Sequence, residues 1–309
     1  MKIAIIGAGA MGSLFGARLA PLCHVWLVDA WEEHIRAIQR DGIQLTNLDG
    51  STQRVTVNAT TNPEAVGDEV DWAIIFVKSY QTAQAAAWAA PMLKAGGLAL
   101  TMQNGLGNLE VMADVLGAER CVQGVTSHGA TLLGPGQVRH AGAAATYLAT
   151  RPAITERVQR IAELFTRAGF ETHLSDNLDS LVWGKLVINV GINALTAILR
   201  VRNGVLAEVA SARALMEAAV DEAVAVARAR GITVPYADAR ARTREVALAT
   251  AANCSSMLAD VLRGFPTEID VINGAIVREG ARLGVPTPVN QTLVHLIKAL
   301  EATHAGRVA

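Results

Sequence analysis

A short apolar run passing straight into Gly7-Ala8-Gly9-Ala10-Met11-Gly12 constrains the fold of this chain more than any other feature. Lys2-Ile3-Ala4-Ile5-Ile6 is rich in β-branched residues and reads as a buried strand. Ser13 to Ala20 follows with helical apolar spacing. Strand, G-x-G-x-x-G, helix is the context in which the motif points to a dinucleotide. In that reading Gly7 makes the tight turn, Gly9 lets the backbone approach a pyrophosphate, and Gly12 lets helix and strand pack closely. Ala8, Ala10 and Met11 complete the phosphate-binding loop, and the helix N-terminus offers free N–H groups to the phosphates. A plain glycine-rich turn is the competing reading.

The second strand, His24 to Val28, ends at Asp29, where such a fold places the acid that accepts hydrogen bonds from the adenosine ribose. Further on, Asp71 to Val77 reads as a central parallel strand with Lys78 at its C-terminal end. Leu98 to Met102 is the next strand, followed by Gln103-Asn104-Gly105; Lys94 to Gly97 is expected to be a turn. Cys121 to Leu133 and Gln137 to Leu148 read as extended runs joined at Gly134-Pro135-Gly136 into a hairpin added antiparallel to the sheet. His128 and His140 lie on it and are expected to be structural, neither having a visible partner. Alternating strands and helices to about residue 175 imply a doubly wound parallel sheet.

From Asn177 onward no convincing strand remains. Leu181–Ile198, Val205–Arg230, Tyr236–Ala249, Ala252–Leu262, Thr267–Leu283 and Pro288–Ala302 read as helices, with Thr267 to Asp270 a variant capping box. The expected organisation is a Rossmann-type α/β domain over residues 1–176 and an all-α domain over 177–309. The apolar stretch Leu181 to Leu199 contains a lysine and two asparagines, so a buried helix is expected there, and no membrane span. The Ala/Arg-rich stretch Ala237 to Arg244 reads as a solvated helix face.

Composition narrows the function classes. With 309 residues, 51% hydrophobic and a net charge of −1, the chain can bury a sizeable core. It has no electrostatic footprint for nucleic acid or an anionic membrane. Cys23, Cys121 and Cys254 show no metal spacing, and the first strand begins at residue 2. A metal-free, cytoplasmic protein is expected.

A nucleotide fold does not specify a reaction. The best candidates for chemistry are Lys185, Asn189 and Asn193, which share one helix face within an apolar segment. Burying them without partners is costly. A bound polar ligand would supply partners, and so would a structural network with Lys185 paired to a carboxylate. Ser256, inside an expected apolar helix, and Glu268, in an expected first turn, form a second cluster. Asn104 sits at a strand terminus on the cofactor side.

Several short pieces in order resemble the ketopantoate reductases (2-dehydropantoate 2-reductases) over essentially the whole chain: the glycine motif, Val77-Lys78, Gln103-Asn104-Gly105, Ser127-His128-Gly129-Ala130, Trp183-Gly184-Lys185 with Asn189 and Asn193, Arg202-Asn203-Gly204, Ser255-Ser256-Met257, and Thr267-Glu268-Ile269-Asp270. The resemblance implies a Rossmann domain followed by a helical one. It implies that Lys185 is the proton donor and that Asn104, Asn189, Asn193, Asn203 and Ser256 hold a 2-keto acid. Lys78, Asn104, Ala130 and Glu268 would contact the nicotinamide cofactor. In one respect the chain departs from the family, which often carries an Arg after the second strand for the 2′-phosphate of NADPH. Here Asp29-Ala30 stands in that place, which favours NADH, while Lys78 remains. Reduction of another branched 2-keto acid, a β-hydroxyacid dehydrogenase and a non-catalytic dinucleotide sensor are the alternatives. The apolar helical domain can support a homodimer.

Overall fold

The computed structural model describes residues 1–306. The chain divides into two compact units. The first comprises Met1–Gln103 and Asn108–Leu178; the second comprises Asn104–Gly107 and the chain from Asp179 onward. The short segment Asn104–Gly107 thus packs with the helices, although it directly follows a strand of the sheet.

In the first unit the elements run β1 (Lys2–Ile6), α1 (Ala10–Leu19), β2 (His24–Val28), α2 (Glu32–Asp41), β3 (Ile43–Thr46), β4 (Thr52–Val55), β5 (Asn58–Thr60), β6 (Val70–Ile75), α3 (Thr82–Met92), β7 (Leu93–Thr101), α4 (Asn108–Leu116), β8 (Cys121–Thr126), β9 (Gly129–Gly134), β10 (Gln137–Gly142), β11 (Thr146–Ala149), α5 (Thr155–Arg167) and β12 (Thr172–Ser175). The main sheet has eight strands in the order β12-β11-β8-β7-β6-β1-β2-β5. All neighbours in it are parallel except β8 and β11. Strand order reverses between β1 and β6, the switch point at which doubly wound sheets bind ligands beyond their carboxyl ends. Apart from Lys2 and Asp71 near their starts, the central strands β1 and β6 are apolar because both faces are covered, which is why they lack alternation.

Two expectations about this unit are corrected. The β9–β10 hairpin does not extend the main sheet. It belongs to a separate four-stranded sheet, β4-β3-β10-β9, in which β10 runs parallel to β3. Only β8 and β11, the outer parts of the two extended runs, join the main sheet. Nor is Lys94–Gly97 a plain turn. It lies within β7, where the register against β6 shifts between Val70 and Trp72.

The second unit contains α6 (Asp179–Leu199), α7 (Asn203–Glu208), α8 (Ala210–Ala229), α9 (Ala239–Ala249), α10 (Ser256–Arg263), α11 (Asn273–Leu283) and α12 (Pro288–Ala302). The expected helix over 205–230 is broken at Val209, whose extended backbone ends α7 and starts α8. Thr267–Ile272 is not helical, so α11 begins six residues later than expected. Of the arginines expected on a solvated face of α9, Arg240 and Arg244 pair with Asp221 and Glu217 of α8. Helix α6 is long and apolar enough to cross a membrane, but 72% of its most apolar window is buried, as in the core helix of a folded domain. Glycines let its neighbours approach: a Cβ at Gly184 would meet Pro235 at 2.7 Å, and one at Gly191 would meet Thr243 and Val220 at 2.9 Å.

Candidate active site

In the first unit the three glycines of the motif stand in different surroundings. Gly7 has φ +100°, and a Cβ there would meet the Val77 nitrogen at 2.6 Å. A Cβ at Gly12 would run into the Gly7 carbonyl. Packing against the chain itself therefore excludes side chains at both. Gly9 is different. Its backbone is in an ordinary extended conformation, and nothing lies within 4 Å of where its Cβ would be. The fold makes no demand for glycine at position 9, and the backbone there is open to the approach of an external group. The first turn of α1 carries neither an acidic side chain nor a side-chain cap, so its N–H groups are open to an anion.

The Asp29 carboxylate is turned toward this loop. Its Oδ2 accepts the Ala8 N–H at 2.7 Å and its Oδ1 accepts the Trp31 N–H at 2.9 Å. Each carboxylate oxygen keeps a second lone pair for a ribose hydroxyl. Lys78 follows β6 and caps a short 3-10 turn, Ser79–Gln81. Gln103, not singled out from the sequence, ties the ends of β6 and β7 together. Its amide donates to the Val77 carbonyl at 2.8 Å and to Thr82 Oγ1 at 2.9 Å. Ala130 lies on β9 opposite His140, in the small sheet. His128 and His140 prove to be each other's partner, with Nδ1 and Nε2 3.1 Å apart in the core. Burial, reinforced by His140, pushes His128 down to about 4.

In the second unit α6 carries Lys185, Asn189 and Asn193 on one face, with Asn193 buried and the other two half-buried. Trp183 anchors the helix in the core with the Arg230 guanidinium over its ring. Burial drives the Lys185 ammonium from its usual 10.5 down to about 8, and the Glu268 carboxylate opposes that shift by favouring the charged form. Glu268 is buried in the turn before α11, so the benefit of an acid in a first helical turn does not explain it. That turn is pinned by Thr267, whose N–H and hydroxyl both donate to Glu301. Asn104–Gly107 is held against the same turn, where the Leu106 N–H donates to the Val271 carbonyl at 2.9 Å.

The adjacent serines divide their work. Ser255 is buried, caps α10 by accepting the Leu258 N–H, and accepts the Thr196 hydroxyl of α6 at 2.7 Å. Ser256 is not inside an apolar helical segment, as expected, but is the exposed first residue of α10. Asn203 is buried at the start of α7; its N–H donates to the Asn253 carbonyl at 3.1 Å and its amide to Thr250 at 2.9 Å. Asn203 and Ser256 are thus supported by one segment, Thr250–Ser255. The second unit assembles a half-buried lysine with a buried glutamate, amides and an open hydroxyl; the first assembles a loop with N–H groups open at the start of α1.

Two family descriptions match the chain: "Ketopantoate reductase PanE/ApbA" over residues 3–153 and its C-terminal counterpart over residues 177–301. The 2-dehydropantoate 2-reductase of Halobacterium salinarum is 38% identical, the match covering 96% of this chain and 98% of that one. Among solved structures, a PanE/ApbA family ketopantoate reductase from Ralstonia eutropha JMP134 superposes with a TM-score of 0.90 at 34% identity, covering 99% of this chain and 100% of the other. A D-mandelate dehydrogenase bound to NADH and anilino(oxo)acetate does so with a TM-score of 0.91 at 30% identity, with the same coverage.

Proposed function

The chain belongs to the ketopantoate reductase family, and on that premise we propose that it reduces 2-dehydropantoate to (R)-pantoate with NADH, used at least as well as NADPH. The observation that carries the chemistry is Lys185, a lysine brought close to neutral pH by burial and kept charged by Glu268. A reduced nicotinamide, when bound, supplies the hydride for the C2 carbonyl carbon. Lys185 holds its proton at the carbonyl oxygen, stabilises the negative charge that grows there and then releases the proton to it. Asn104, Asn189, Asn193, Asn203 and Ser256 bind the carboxylate and hydroxyl of the keto acid without adding net charge. The residues that fit the cofactor are the Gly7–Gly12 loop, with open space over Gly9, together with Asp29, Lys78, Ala130 and Glu268.

Asp29 supports the choice of NADH. Its carboxylate can take hydrogen bonds from ribose hydroxyls, whereas a 2′-phosphate would bring like charges together. The D-mandelate dehydrogenase solved with NADH at 30% identity supports the same choice and a second reading, in which the substrate is another branched or aromatic 2-keto acid. Loss of reduced-nicotinamide absorbance with a panel of 2-keto acids separates the two. Ketopantoate as the best substrate, with kcat/KM for NADH equal to or above that for NADPH, is the expected result. Tight cofactor binding without reduction of any keto acid would instead indicate a sensor. Asp29→Ala with Ala30→Arg should shift the cofactor ratio toward NADPH, because an Arg fork binds phosphate in a bidentate manner. Affinity for both cofactors should fall, since Ala8 loses its N–H partner.

A further inference from the structure

One buried chain of hydrogen bonds joins the small sheet to the glycine-rich loop. It begins at Gly136, in the turn between β9 and β10, whose N–H donates to His34 Nδ1 at 3.0 Å. A backbone N–H can only donate, so Nδ1 is an acceptor and the ring proton sits on Nε2. His34 Nε2 lies 3.1 Å from Ser13 Oγ, and the tautomer makes the histidine the donor. The Ser13 hydroxyl then has its own proton free to donate to the Ala8 carbonyl, 2.7 Å away. Every link therefore has one direction, set at the Gly136 end. His34 and Ser13 are both fully buried, so no water competes for these groups.

Ala8 receives the end of this chain at its carbonyl and Asp29 at its N–H. The peptide planes on both sides of Ala8 are thereby clamped, one residue before Gly9. The two clamps also meet at Trp31, which stacks on the His34 ring at 4.8 Å and gives its N–H to Asp29. The starting point is equally constrained: Gly136 has φ +69°, and its carbonyl accepts the Gln44 N–H of β3 at 2.8 Å. The small sheet thus has a role in the first unit beyond burying apolar surface.

We propose that His34 and Ser13 are positioning residues of the dinucleotide loop, holding the Ala8 peptide so that the N–H groups at Gly9 and the start of α1 are aimed at the pyrophosphate before it binds. The inference rests on the reading that this loop binds the cofactor. Preorganised donors cost nothing to orient on binding, so loss of the clamp falls on cofactor affinity and leaves the chemical step alone.

Two amide substitutions separate positioning from mere packing, because each reproduces one end of the imidazole. In His34→Gln the amide N–H stands near Nε2 and still reaches Ser13, while Gly136 loses its acceptor. In His34→Asn the side-chain oxygen stands near Nδ1 and still serves Gly136, while Ser13 loses its donor. NADH titration by fluorescence, kcat at saturating NADH and Tm are measured for these, for Ser13→Ala and for the wild type. Ser13→Ala and His34→Asn should raise the NADH Kd about tenfold with kcat within about twofold, the size expected for one buried hydrogen bond. His34→Gln should have the lower Tm yet bind NADH within about threefold of wild type. Wild-type affinity in both Ser13→Ala and His34→Asn would overturn the proposal. So would a loss of affinity that simply follows Tm across the variants. A wild-type protein that binds no dinucleotide would instead remove the reading of the loop itself.

Discussion

The two units bury basic side chains by opposite rules. In the first, His34, His128 and His140 are buried among apolar neighbours, and burial pulls all three below the ordinary histidine value of 6.5. They are neutral at pH 7 and serve as directional hydrogen-bond parts. In the second, Lys185 is pulled down to about 8, yet Glu268 favours its charged form and it keeps its proton at pH 7. The difference follows the charge each task demands. A dinucleotide brings its own negative charge and is met by backbone N–H groups, whose aim is what needs protecting. A carbonyl becoming an alkoxide needs a proton that can leave, so a cation is kept in a place that barely tolerates it.

The largest break in this comparison comes at Lys185. Lys185→Ala should lower turnover by roughly 10² or more while leaving cofactor affinity nearly intact, as for loss of a positioned acid. In the parent enzyme kcat/KM should fall as pH rises through about 8, because the ammonium is then lost, and the variant should lack that limb. Lys185→Met should be inactive as well and should gain no stability, since the buried Glu268 carboxylate is left without its cation. Near-normal turnover in Lys185→Ala would remove the residue from the mechanism.

Ser256 comes next. It is exposed at the start of α10, and the cap belongs to Ser255, so Ser256→Ala should weaken keto acid binding by about 1–3 kcal/mol without lowering Tm. Ser255→Ala should do the reverse: a Tm lowered through loss of a cap worth about 1 kcal/mol. Equal Tm losses for the two would erase the division between the serines.

Much of this was legible in the sequence. β1, β2 and α12 have the residue bounds expected, because apolar runs and the Thr287-Pro288 cap are local features. The shared face of Lys185, Asn189 and Asn193 follows from helical period alone. The small sheet was not legible: β3 pairs with β10, far along the chain, and periodicity reports which face is buried and not which strand covers it. Nor was the break at Val209 or the irregular Thr267–Ile272, where tertiary bonds to Glu301 outweigh a helical pattern. Nothing in the sequence pattern marks His34. Its role depends on Gly136, which sequence patterning does not place beside it.

The buried histidines sharpen the comparison through pH. Their folded values lie below 6.5, so the unfolded chain binds more protons as pH falls through that range. Stability is therefore fully present above 6.5 and is lost progressively toward about 4, where His128 takes its proton. Between pH 7.5 and pH 5 the unfolding free energy should drop by roughly 1–3 kcal/mol, read from denaturant midpoints. A flat profile over that interval would mean that the histidines take up protons as readily in the folded chain as in the unfolded one, and that the contrast between the units is false.

The smallest effect is expected at Arg200, immediately after α6. It is the one non-glycine residue with positive φ, 53°, among the described residues. The Val201 N–H bonds back to the Thr196 carbonyl at 3.2 Å, the long closing bond of a helix C-terminus that glycine usually accommodates. Holding an L-residue there costs about 1–2 kcal/mol, while glycine returns about 0.5–1 kcal/mol of that as greater freedom in the unfolded chain. Arg200→Gly should thus stabilise the protein by about 0.5–1 kcal/mol, seen as a slightly higher Tm. Turnover and KM should not change if the functional tension of the helical unit resides in the desolvated charge of Lys185. If instead Tm rises and the keto acid KM rises with it, the strained turn is holding Asn203 in place just beyond it, and backbone strain joins desolvation as a device of this unit.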